Sequence, residues 1–273
     1  MLNGEAMKIA VVAPSCTLSR EAADRLRALV AERGDCEVAV HPQSFLSDGH
    51  FAGPDDARLS ALREVMGDPS VDAVWFARGG YGSNRIAEAV LSDLPEAARS
   101  KVYLGYSDAG FLHAGLHKAG LNVAWGPMPQ DLMREGGKAA VTRALDWLVR
   151  RDQAALEPEL EGPAMAFNLT VLAALLGTVL EPDFSGVDLL IEDVSEHHYR
   201  IDRTMFHVTG SPNVRKVARL RLGRVGDIPF NDPDFGRDEV AIVQEWCERS
   251  GIAYGGRADI GHDVLNRVVP FTR

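Results

Sequence analysis

Ser107, in the stretch L-G-Y-S-D, is the residue of this 273-residue chain best placed to act as a nucleophile. The apolar run from Val102 to Leu104 reads as a buried strand that stops at Gly105, and a helix-like stretch, Ala109 to Ala119, begins two residues after the serine. A serine at such a tight strand-to-helix turn stands clear of the sheet. The amide of Asp108 then lies at a helix N-terminus, where free N–H groups and the helix dipole favour negative charge. Acyl transfer needs that arrangement, a hydroxyl nucleophile with an oxyanion donor in the next residue. The same string also suits plain helix capping, for which serine is a favoured residue.

A serine nucleophile needs a base, and the base needs a partner to fix its tautomer. Eight histidines are available. His262, in I-G-H-D-V-L-N, follows Gly261 in a turn between short apolar segments, a place equally suited to a surface histidine. Glu192 ends the run V-D-L-L-I, so a carboxylate emerges at a strand terminus, where a solvated charge is also ordinary. The glycine loop R-G-G-Y-G invites a phosphate-binding reading, but it lacks the G-x-x-x-x-G-K-[ST] pattern, and no G-x-G-x-x-G follows the first strand. The same glycines also serve to bring backbone N–H groups close to a bound carbonyl, or simply to make a turn with positive φ. His197, His198 and His207 match no common metal-ligand spacing, so neither a metal nor another cofactor is expected.

The elements that must position these residues alternate. Lys8–Ala13, Cys36–Val40, Val71–Ala77, Val102–Leu104 and Asn122–Trp125 read as strands, separated by helical stretches at Ser19–Arg33, from Gly53-Pro54 onward, Ser83–Leu91 and Ala109–Ala119. Gly137–Arg150 reads as a further amphipathic helix. Strands spaced by single helices imply a parallel sheet covered on both faces, with ligands gathering at the carboxyl ends of the strands. R-G-G-Y-G and G-Y-S-D both fall at such ends. Residues 1–150 are therefore expected to form an α/β domain bearing the nucleophile. The acidic, proline-containing stretch 151–163 reads as the crossing to a smaller α+β domain, 164–273. There, Asn168 caps a short apolar helix, Gly186–Glu192 is a strand, Tyr199–Val208 a helix, and Val214–Val225 a basic strand with one wet face. Glu239–Ser250 reads as helical, and the tail as strands and turns.

A formal net charge of −10 argues against nucleic acid or an anionic membrane as partner. Cys16, Cys36 and Cys247 are far apart and odd in number, which disfavours a disulfide framework or zinc site. The N-terminus M-L-N-G-E-A-M-K-I-A lacks the basic and apolar stretches of a signal peptide, and no run is long enough to span a membrane. A cytoplasmic protein is the expectation.

Taken in order, V-D-A-V-W-F-A-R-G-G-Y-G-S, L-G-Y-S-D, L-L-G-T, L-L-I-E-D-V-S-E-H-H-Y-R-I-D-R and G-H-D-V-L-N resemble the serine LD-carboxypeptidase family over nearly the whole chain. That family includes the muramoyltetrapeptide carboxypeptidases and the microcin C immunity peptidases. The resemblance implies a flavodoxin- or Rossmann-like N-terminal half, a smaller C-terminal domain and a catalytic set between them. Ser107 would be the nucleophile, His262 the base and Glu192 the orienting carboxylate, with the N–H groups of Gly80 and Asp108 as oxyanion donors. The implied reaction is hydrolysis of the amide between an L-centre and a terminal D-amino acid of murein tetrapeptide, by a protein that is often a homodimer. Arginine is the better fork for a substrate carboxylate, and Arg78 and Arg203 are the candidates, with Tyr81 and Trp125 as further substrate contacts. Three departures from the family pattern bear on substrate rather than chemistry: Ala166-Phe167 before Asn168, Trp125 before G-P-M, and the pair His197-His198. A peptidyl-nucleotide substrate, stacked on Trp125 or Phe167, is the alternative. A binding protein that kept the fold without turnover is another, and a nucleotide-binding Rossmann protein a distant one.

Overall fold

The computed structural model describes residues 6–272, so the extreme N-terminal residues read for a leader lie largely outside it. The chain begins with strand β1 (Met7–Val12), helix α1 (Arg20–Arg33) and β2 (Cys36–Val40), then α2 (Asp55–Gly67) and β3 (Ala73–Phe76). Helix α3 (Ser83–Leu91), β4 (Val102–Gly105), α4 (Gly110–Lys118), β5 (Asn122–Trp125) and α5 (Gly137–Arg150) follow. The second half runs β6 (Ala164–Asn168), α6 (Leu169–Leu175), β7 (Asp188–Val194), α7 (His198–Gly210), β8 (Arg219–Gly226), α8 (Glu239–Ser250), β9 (Tyr254–Arg257) and β10 (Val269–Pro270).

The first five strands form a parallel sheet in the order β2-β1-β3-β4-β5, the flavodoxin-like doubly wound arrangement. Alternation along the strands feeds two cores. Ile9, Val11, Trp75 and Leu104 pack with α1 and α5 on one face. Val12, Val74, Phe76 and Tyr103 pack with α2, α3 and α4 on the other. That second core continues without a break into the other half of the chain. β6, β7, β8 and β9 form a second sheet, parallel throughout, so the C-terminal half is more regularly strand–helix–strand than its broken sequence pattern implied. Gly110 lets the halves meet: a Cβ there would sit 2.9 Å from Val171 Cγ1 and 3.3 Å from Phe167 Cδ1. β10 then returns to the first sheet and pairs antiparallel with β5.

Two local expectations are corrected. Val214–Lys216 is a short 3-10 turn, and β8 starts only at Arg219. Its basic face is not wet. Arg221 is buried, its guanidinium bonded at 2.8 Å to both carboxylate oxygens of the equally buried Glu157, and Arg219 holds Asp188 at 2.7 Å. A buried cation must be paired to be tolerated, and the partner comes from the acidic stretch 151–163, which is thereby fastened to the second sheet.

His113, on α4, is fully buried between Phe76 and Phe271, and neither ring nitrogen has a hydrogen-bond partner among the described residues. Burial pushes its pKa down to about 3. The unfolded chain takes up that proton near the ordinary histidine value, so between there and about pH 3 the unfolded state binds more protons and stability falls as the pH falls. The slope from this one group approaches ~1.4 kcal/mol per pH unit. His113→Leu is expected to flatten that loss and to raise neutral-pH stability by about 1–3 kcal/mol, because an unpaired buried polar group is removed. Urea unfolding at pH 7 and pH 5 checks both.

Candidate active site

Ser107 stands at the carboxyl end of β4. Tyr106 is extended (φ −155°), Ser107 itself has φ +61°, and a 3-10 turn, Ser107–Ala109, leads into α4. A non-glycine residue in the left-handed region costs on the order of 1–3 kcal/mol and persists only where its surroundings hold it. Asp108 does the holding. Its buried carboxylate accepts from Ser15 Oγ (2.5 Å) and the Ser83 amide (2.8 Å), and its carbonyl accepts from Ser83 Oγ (2.5 Å). The side chain of Asp108 thus turns into the protein, while its backbone follows Ser107 at the head of the turn.

The R-G-G-Y-G loop comes in from the neighbouring strand end. A Cβ on Gly79 would lie 2.9 Å from Ser107 Cβ and 3.0 Å from its Oγ. Gly80 has φ +104°, and a Cβ there would strike Cys16 Sγ at 2.3 Å. These glycines are needed for close approach as well as for the turn. Gly79→Ala is expected to displace the Ser107 hydroxyl and slow its reaction with a fluorophosphonate about 10- to 100-fold, with thermal stability little changed. Labelling rates measured beside a melting curve check this.

Glu192 comes from β7, which runs two residues beyond it. Pairing with β8 slips between Ile191 and Asp193, so a bulge on β8 lies opposite the glutamate. Gly223 occupies the bulge, where a Cβ would come within 3.0 Å of Glu192 Cβ and 2.7 Å of Ile260 O. The carboxylate is completely buried; Oε1 accepts from Asn168 Nδ2 at 3.3 Å. Asn168 also caps α6 as expected, its Oδ1 accepting from the Val171 amide at 3.1 Å. Burial raises the Glu192 pKa, and the facing His262 opposes that rise.

His262 lies in the loop between β9 and β10. Its Nδ1 is 2.5 Å from Glu192 Oε2 and its Nε2 is 2.9 Å from Ser107 Oγ. With Nδ1–H donated to the carboxylate, Nε2 is left to accept from the hydroxyl. Burial works against charging the ring, but Glu192 outweighs it and the pKa is raised. The loop is held from several sides. Arg224 bonds Asp263 and Asp259, Arg143 donates to the carbonyls of Val264 (3.2 Å) and Asn266 (2.8 Å), and Arg134 donates to the carbonyl of His262 itself. The Tyr106 ring packs edge-on against the imidazole at 5.0 Å.

Ser107, His262, Gly79, Gly80 and Tyr106 line one cleft of about 480 Å³, together with Arg78, Arg134 and Asp131. Arg78 is exposed there, donating to Thr17 O at 3.2 Å. The other expected substrate contacts are not brought to the cleft. Trp125 is fully buried and donates its indole N–H to Asn266 Oδ1 (2.9 Å), which also accepts from the Gly261 amide (3.3 Å), so it shapes the histidine loop from behind. Phe167 is likewise core. Tyr81 packs beside Phe51 and His50, and Arg203 lies exposed on α7 over the Tyr199 ring. Of the three histidines weighed for metal, His207 turns instead to the Ala173 carbonyl at 3.2 Å. Sequence reasoning missed Arg134 and Asp131. No local pattern singles them out, because their partners, Tyr106 and His262, come from distant parts of the chain.

Comparison with known proteins gives a consistent picture. The LD-carboxypeptidase N-terminal domain model matches residues 9–126, and the LD-carboxypeptidase C-terminal domain model residues 161–273. The murein tetrapeptide carboxypeptidase of Pseudomonas aeruginosa is 27% identical over 97% of this chain and 91% of its own. The crystal structure of muramoyltetrapeptide carboxypeptidase from Oxalobacter formigenes superposes with a TM-score of 0.82 at 26% identity, covering 96% of this chain and 92% of that one. The microcin C7 self-immunity protein MccF, in complex with aspartyl sulfamoyl adenosine, has a TM-score of 0.76 at 17% identity over 99% and 97% of the two chains, a likeness of fold.

Proposed function

Because this chain belongs to the LD-carboxypeptidase family, we propose that it is a serine-type hydrolase that removes the terminal D-amino acid from murein tetrapeptide. The observation that carries the reading is the unbroken hydrogen-bonded series Ser107–His262–Glu192 at the floor of a cleft. In this mechanism His262 takes the Ser107 proton as Oγ attacks the scissile carbonyl. The oxyanion is met by the amides of Asp108 and Gly80, and His262 returns the proton to the leaving amine. Water, activated by the same imidazole, then releases the acyl group. Arg78 is the group we assign to the substrate's terminal carboxylate, since its guanidinium lies at the cleft and, among the described residues, donates only to Thr17 O.

The relative from Pseudomonas aeruginosa, named a murein tetrapeptide carboxypeptidase, supports the substrate. A nucleotide substrate is not favoured, because the aromatic residues expected to stack on a base, Trp125 and Phe167, are buried. Homodimerisation rests on the resemblance, and light scattering tests it; a cytoplasmic site of action rests on the three widely separated cysteines. The deciding experiment is mass spectrometry of murein tetrapeptide and of an aminoacyl sulfamoyl adenylate, each incubated with the protein. Release of D-alanine is expected. Cleavage of the adenylate alone would reverse the substrate assignment, and no reaction with either or with a fluorophosphonate would leave a binding protein.

A further inference from the structure

The G-P-M-P-Q-D-L-M-R stretch after β5 forms a 3-10 turn, Pro129–Met133, which carries Asp131; Arg134 follows it as an extended cap, its amide donating to the Asp131 carbonyl at 3.0 Å. Asp131 is buried and fixed: its Oδ1 accepts from Tyr106 O–H at 2.9 Å and its Oδ2 from the Met128 amide at 2.9 Å. Arg134 Nε lies 3.4 Å from Asp131 Oδ1, and its Nη1 donates to the backbone carbonyl of His262. A continuous line therefore runs from Tyr106, the residue before the serine, through Asp131 and Arg134 to the main chain of the histidine.

We propose that Arg134 is a positioning residue, which sets the reach of His262 toward Ser107 by holding the histidine's carbonyl oxygen against the turn that carries Asp131. The proposal rests on the reading of Ser107 and His262 as nucleophile and base. Arg134 lines the cleft, as Arg78 does, but its N–H groups are directed at Asp131 and His262, whereas Arg78, among the described residues, donates only to Thr17 O. Positioning and carboxylate capture are thus divided between the two arginines. The guanidinium also acts on the imidazole through charge. His262 is faced by Glu192 and Asp193 from β7, by Asp131 on the turn and Arg134 just after it, and by Tyr106 and Ser107 just past the end of β4. Its own loop adds Asp263, paired with Arg224, and Arg143 stands behind. The carboxylates of Glu192 and Asp193 raise the His262 pKa, and Arg134 lowers it.

The test compares Arg134→Gln and Arg134→Lys with the native protein, following fluorophosphonate labelling of Ser107 and tetrapeptide hydrolysis across pH. Gln loses both the bond and the charge. Labelling is expected to slow at least about tenfold, KM to change less than about twofold, and the acidic limb to move to higher pH. Lys keeps the charge, so its limb is expected to stay in place while the rate recovers in part. Native rates in Gln overturn the proposal. So does a raised KM with unchanged kcat, which would make Arg134 a substrate ligand. If Gln does not fold, Lys decides: a native rate there is equally adverse. Ser107→Ala and His262→Ala separate this from the underlying reading. If those two react normally, the catalytic set itself is wrong; if only they are dead, the positioning role alone fails.

Discussion

Ser107→Ala is expected to fold normally and to lose D-alanine release by at least about three orders of magnitude. The fold should tolerate the change because the bonds that hold the turn belong to Asp108, Ser15 and Ser83 rather than to the serine hydroxyl. Alanine carries the same Cβ, so the left-handed backbone at this position is no more strained than before. What disappears is the atom that forms the acyl bond in the proposed mechanism, and neither the oxyanion donors nor a bound water at the same place would restore it. Mass spectrometry of the tetrapeptide reaction, beside a thermal melt, reads both parts. Undiminished hydrolysis by a folded alanine variant would remove the covalent mechanism.

The second large effect is expected at Glu192. Its carboxylate is fully buried 2.5 Å from His262 Nδ1, where the proposed mechanism has it fix the tautomer and stabilise the imidazolium formed during attack. Glu192→Gln offers an amide in its place, which can present its N–H₂ to Nδ1 and favour the wrong tautomer. A fall in kcat of about 10³- to 10⁴-fold is expected. The pH profile should change with it. In the native protein the base is raised above its ordinary value, so activity is lost as the pH falls through a pKa higher than that of a free histidine. Without that charge, burial and Arg134 lower the pKa against the smaller opposing pull of Asp193, and the acidic limb should move to lower pH. An unmoved limb would mean that Glu192 does not govern the histidine's charge.

The elbow at Ser107 was legible because everything that makes it is contiguous: an apolar strand, a glycine, and a helix start within a dozen residues. The alternation of β1 to β5 was legible for the same reason, each element carrying its own period and its own stop, such as Gly34 at φ 69° after α1. Glu192 was visible as a charge at the end of an apolar run. Its burial was not, since the bulge that covers it depends on Gly223 from the next strand. His262 could not be told from seven other histidines by periodicity, and family resemblance singled it out. Trp125 shows the opposite limit. An aromatic at a strand end reads alike whether it faces a cleft or a core, and its partner, Asn266, lies 141 residues away. Arg221 failed in the same manner: a basic, alternating segment looks wet until a carboxylate from another stretch, Glu157, is folded against it.

The return of β10 to the first sheet leaves the histidine loop moored at both ends, to β9 in one sheet and to β5 in the other. Under the proposed mechanism, a swing of one half against the other would shift His262 relative to Ser107, and the close packing of Gly110 against Val171 and Phe167 resists such a swing.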